Sequence, residues 1–162
     1  MKIRIIKQSI FTLLTLSLLM SCGMSQEKSV SESIDTPKDK YLELRKDFEY
    51  VNFIPDSLRT PEQNGLLLLL SKTLQDNMVV ENKRFVFKLT REDVVALGIP
   101  EPYYELLSNN VTDLNLMMDN AEDTVAAKFY NEWEKDVARI RMEIDSMEAD
   151  WIKSGKAIKY RK

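Results

Sequence analysis

Carboxylates are the only catalytic side chains that this 162-residue sequence supplies in quantity: 26 Asp and Glu stand beside no histidine and one cysteine, Cys22. Two acids across a cleft could hydrolyse a glycosidic bond, which asks for carboxyl groups about 5.5 Å or roughly 6.5 to 9.5 Å apart. With 26 candidates some pair meets any distance, so this criterion selects none. Without imidazole there is no Ser-His or Cys-His nucleophile pair and no zinc site of Cys and His. Four glycines, Gly23, Gly65, Gly98 and Gly155, write neither a Walker loop nor a dinucleotide fingerprint. A Ser-Lys dyad fails as well. Ser71 and Lys72 are adjacent and point apart on a helix, while Ser25 and Lys28 sit in a polar stretch with nothing to hold them. Asp113, Asn115, Asp119 and Asp123 lack the spacing and the central glycine of an EF-hand calcium loop. The expectation is a chain that is not an enzyme and has no cofactor and no metal site.

The remaining chemistry is that of the Cys22 thiol. Lys2, Arg4 and Lys7 precede a largely apolar run from Ile10 to Met20, which ends at the small residue Ser21. Eleven residues are too few to span a bilayer, which takes roughly 20, and the pattern is that of a secretory signal over 1–21. Leu19-Met20-Ser21-Cys22 resembles the lipobox of bacterial lipoproteins. That resemblance implies cleavage before Cys22, lipidation of its thiol and acylation of the new N-terminus. Two or more acyl chains hold a protein on a membrane stably, at about 0.8 kcal/mol per buried CH2. By resemblance to the enterobacterial sorting rule, Gly23 after the cysteine implies the outer rather than the inner membrane in a cell that has both.

Loss of residues 1–21 removes three bases and no acid, leaving 20 basic against 26 acidic side chains, a net of −6. Such a body disfavours nucleic acid as a partner. Residues 22–38 are rich in Ser and charged residues and close at Pro37, the composition of a flexible tether.

The sequence assigns 39–154 to a helical domain. Tyr41, Leu44 and Phe48 step by 3 and 4, predicting a first helix to about Glu49, followed by an ambiguous apolar stretch from Tyr50 to Ile54. Thr60-Pro61-Glu62-Gln63 is a capping box that opens a second helix, with Gly65 an apparent weakness in its first turns. Leu66 to Leu70, Leu74 and Met78 make that helix apolar nearly all round, which predicts burial on more than one side; an exposed leucine patch for a partner is the other reading. Met78 to Val80 and Phe85 to Leu89 predict a minor β-hairpin within 78–89. Thr90 caps a short helix to Leu97, and Gly98 supplies a left-handed stop. Tyr104, Leu107, Val111, Leu114 and Met118 form the seam of the next helix. A long helix over about 121–152 then carries a stripe from Ala126 through Phe129, Trp133, Val137, Ile140, Ile144 and Met147 to Trp151. It outruns its hairpin partner, so its far half must pack on the earlier helices or serve self-association.

The segment 155–162 reads as a basic tail: with Lys153 just before it, it contributes Lys156, Lys159, Tyr160, Arg161 and Lys162, and there is no acid from Trp151 onward. These cations suit a helix C-terminus, and they are also the candidate partner-binding residues. Deleting 153–162 is expected to leave folding intact. The whole reads as a mainly α protein, lipid-anchored in a bacterial membrane, that binds a protein or an envelope polymer. A carboxylate-dependent hydrolase of envelope glycan and a carrier of a small apolar ligand beside Phe85, Phe87 and Tyr104 are the rival readings.

Overall fold

The computed structural model describes residues 41–160. The signal at 1–21, Cys22 and the tether to residue 38 lie outside the described residues, as do Arg161 and Lys162. The fold is mainly α: α1 (Pro61–Asn77), α2 (Arg91–Ala96), α3 (Tyr103–Asp119) and α4 (Asp123–Lys153), with a hairpin of β1 (Met78–Glu81) and β2 (Arg84–Phe87) between α1 and α2.

The chain begins with a departure from its helical spacing. Residues 41–50 form no helix. The N–H of Leu42 donates to Asn109 Oδ1 at 3.0 Å, and the Leu42 carbonyl accepts from Asn109 Nδ2 at 2.8 Å. The amide of one α3 residue thus serves the backbone as a neighbouring strand would. Tyr41 donates to Asp113 at 2.6 Å one turn further along α3. Leu44 and Phe48 still reach the core, so the apolar spacing is satisfied by docking. A short 3-10 turn, Val51–Phe53, follows, and the Val51 N–H donates to the buried hydroxyl of Tyr103 at 2.9 Å.

α1 starts where its capping box places it. Thr60 accepts from the Gln63 N–H at 3.2 Å and Gln63 Oε1 accepts from the Thr60 N–H at 2.8 Å. Leu66, Leu70 and Leu74 enter the main core, while Leu68 faces a second cluster with Ile140, Ile144 and Ala157. The leucine run is therefore buried on two sides, and none of its five members is exposed.

The hairpin pairs Glu81 with Arg84 and Val80 with Phe85 around Asn82 and Lys83, both at positive φ as a two-residue hairpin turn requires. The polar groups of Phe85 point away from β1, and Asn115 on α3 takes both: its Oδ1 accepts from the N–H and its Nδ2 donates to the carbonyl, each at 2.8 Å. A second capping box, between Thr90 and Asp93, opens α2, and Gly98 ends it at φ 80°.

On α3 the buried residues are Tyr103, Glu105, Leu106, Leu107, Asn110, Val111 and Met118. Leu107, Val111 and Met118 of the expected seam are buried, Tyr104 and Leu114 pack against the core half-buried, and Tyr103, outside that seam, is the fully buried tyrosine. The reason is the ring cage around it: Phe48 and Tyr50 lie edge-on to Tyr103 with centroids at 5.4 and 5.3 Å. At about 1.5 Å per residue, the 31 residues of α4 reach roughly 46 Å against about 26 Å for the 17 of α3. Trp133 and Val137 join the main core, and the half beyond it packs Ile140 and Ile144 on α1.

Candidate functional site

The C-terminal end of the molecule gathers the candidate binding residues. α4 closes in a Schellman motif: Gly155 N–H donates to the Ile152 carbonyl at 3.1 Å and Lys156 N–H to the Trp151 carbonyl at 2.7 Å. Gly155 sits at φ 72°, the left-handed conformation that this reversal requires. The chain then returns along the start of α1. Asn64 Nδ2 donates to the Lys156 carbonyl at 2.7 Å, and Ile158 N–H donates to the Pro61 carbonyl at 3.1 Å. Ala157 is 3% exposed, and Tyr160 packs against the main core.

The segment after 154 is thus stitched to the domain as far as Tyr160 and buries Ala157, where the sequence offers only a basic tail. Gly65 gains a reason at the same place. The Ile158 carbonyl occupies the space that a Cβ on Gly65 would fill, so the glycine that weakens the helix locally is what lets the returning chain approach. Lys153, Lys156 and Lys159 remain exposed on this pinned backbone, as do Ile152 at 40% and Ile158 at 46%.

The acids lie elsewhere. Of the 22 described Asp and Glu, only Glu105 is buried, at 7% exposure. Its Oε1 is paired with Arg91, which also holds Glu101 at 3.1 Å and lies 4.9 Å above the Tyr104 ring. Its other oxygen is enclosed without a hydrogen-bond partner among the described residues. Lys72 on α1 grips Asp145 at 2.9 Å and Glu148, both on α4. Partial burial pulls the Lys72 ammonium down, but the two carboxylates outweigh it and hold the pKa above its usual value.

At Phe85, where the carrier reading would place a ligand, aromatic rings close in. Phe129, Tyr130 and Trp133 surround it with centroids at 5.8, 5.3 and 4.8 Å, and Phe87 faces Tyr104 at 6.5 Å. Among the described residues no group of three or more acids is placed to hold a metal ion, and no helix is long and apolar enough to cross a membrane. No family model matches the chain, and neither a curated protein nor a solved structure matches it. Sequence reasoning missed the joint role of Gly65 and Asn64, whose only local signal was a glycine in an otherwise strong helix.

Proposed function

We propose that this chain is a lipoprotein of the bacterial envelope, anchored through lipidated Cys22, whose helical body binds a protein or an envelope polymer and does no chemistry on it. The distribution of acids carries the binding half of this reading. A glycan hydrolase needs two carboxyl groups facing each other across a cleft. Here 21 of the 22 described acids are exposed or half-buried, and the one buried acid is paired with Arg91. The lipobox-like tetrad Leu19-Met20-Ser21-Cys22 supports the anchor. The basic end at Lys153, Lys156, Lys159, Tyr160, Arg161 and Lys162 is the binding surface on this reading.

Growth with an alkyne-tagged palmitate tests the anchor: the chain takes up the tag and Cys22→Ser does not, whereas a tag that persists in Cys22→Ser overturns it. Crosslinking in intact cells followed by purification in mild detergent tests the binding role. A single stoichiometric species crosslinked through the C-terminal lysines supports it, and release of soluble fragments from envelope glycan by the purified protein overturns it.

A further inference from the structure

We propose that the basic end of the body is a docking surface for the anionic headgroups of a lipid bilayer, so that the domain lies on its membrane in one orientation. The proposal rests on the anchor reading alone and assigns the basic end to the membrane itself in place of a protein or polymer.

Charge pairing is the first argument. Among the described residues, seven cations stand in no ion pair: Lys46, Lys83, Lys128, Lys135, Lys153, Lys156 and Lys159. Three of the seven fall within seven residues of chain, and Arg161 and Lys162 follow in the sequence. On the part of α4 before them, Asp145 and Glu148 are both held by Lys72. Among the described residues, Asp150, Glu62 and Glu49 are exposed acids in no ion pair beside this end.

The second argument is asymmetry. The described residues carry 15 basic and 22 acidic side chains, a net of −7, so an anionic surface repels the body as a whole and attracts it where three unpaired lysines fall together. The attraction acts within about a Debye length, roughly 8 Å at physiological salt, so it selects a contact face and leaves the far side untouched.

Apolar exposure and rigidity complete the case. Ile152 and Ile158 are 40% and 46% exposed between and beside the three lysines. Aliphatic side chains interleaved with lysines suit the boundary between headgroup and acyl chain, where both are satisfied together. The backbone that presents them is fixed by the Schellman bonds to Trp151 and Ile152 and by the bonds to Pro61 and Asn64.

The test uses the mature lipidated chain, reconstituted into vesicles of phosphatidylcholine alone or with added phosphatidylglycerol. Amine acetylation is read lysine by lysine by mass spectrometry, and flotation reports anchoring. On phosphatidylglycerol vesicles Lys153, Lys156 and Lys159 lose reactivity by about threefold or more relative to phosphatidylcholine. High salt restores it, and Lys83 and Lys128 do not change. Equal reactivity of the three lysines on both kinds of vesicle, in protein that floats, overturns the docking surface and leaves the anchor standing. Protein that does not float with either vesicle overturns the anchor reading and the docking surface with it.

Discussion

The carbonyl of Ile158 stands where a Cβ on Gly65 would have to be, and this one close approach joins the last residues of the chain to its principal helix. An Ala in a helix interior is ordinarily worth about 1 kcal/mol over Gly. At residue 65 the sign should reverse, because the obstructing atom is backbone and its segment is held by bonds to Pro61 and Asn64. Gly65→Ala is expected to destabilise the domain by about 1 to 3 kcal/mol, read as a lower melting temperature. A melting temperature at or above that of the wild type would show that the returning segment is not packed there.

The same contact divides the tail into two parts. Ala157 shares a buried cluster with Leu68, Ile140 and Ile144, so Ala157→Asp places an unpaired charge among apolar side chains. The expected cost is about 3 kcal/mol or more in urea denaturation. Ending the chain after Tyr160 removes only Arg161 and Lys162 and is expected to change stability by less than about 0.5 kcal/mol. Equal tolerance of the two changes would contradict the packing of residues 156–160.

Asn115 and Asn109 are expected to matter beyond their size, because each satisfies both backbone polar groups of one residue, Asn115 those of Phe85 on the side away from β1 and Asn109 those of Leu42. Asn115→Ala strips the partners from Phe85, a buried residue, and is expected to cost about 1 to 3 kcal/mol. Asn109→Ala acts on the exposed Leu42 and is expected to cost less, water replacing the lost bonds. Amide hydrogen exchange separates the two: in Asn115→Ala protection falls at Phe85, in Asn109→Ala at Leu42.

These contacts also explain what the sequence disclosed. Elements specified by near neighbours were legible: both capping boxes, at Thr60 and Thr90, the left-handed stop at Gly98, the hairpin around Asn82 and Lys83, and the stripe from Trp133 to Ile144. The failures share a cause. Tyr41, Leu44 and Phe48 have helical spacing, but backbone groups between them are claimed from elsewhere, those of Leu42 by Asn109 67 residues away and the Arg45 N–H by the Tyr50 hydroxyl. Tyr104 packs against the core as its spacing predicts, but the full burial of Tyr103 beside it is set by Val51, Phe48 and Tyr50, and no period along α3 encodes it. Ala157 is one small residue among lysines, and its burial depends on Gly65 and Asn64 more than 90 residues earlier. Of the candidate site, the basic composition was legible and its fixed backbone was not.

Tyr103 supplies a pH dependence whose sign can be derived. Burial, the larger influence, raises its hydroxyl pKa to about 12, partly offset by the bond from the Val51 N–H. An unfolded tyrosine ionises near pH 10. Because the folded value is the higher one, the stability tied to the protonated hydroxyl is fully present below about pH 10 and is lost as pH rises towards about 12. Tyr41 shifts the same way, also to about 12, through burial and its bond to Asp113, but it lies at the exposed edge of the domain and is expected to couple little to unfolding. Tyr103→Phe should therefore lower stability at neutral pH, where Val51 loses its acceptor, and should flatten the loss between pH 10 and 12. Tyrosinate absorbance followed together with circular dichroism checks both parts. An alkaline unfolding profile in Tyr103→Phe with the wild-type slope would mean that another group drives the transition.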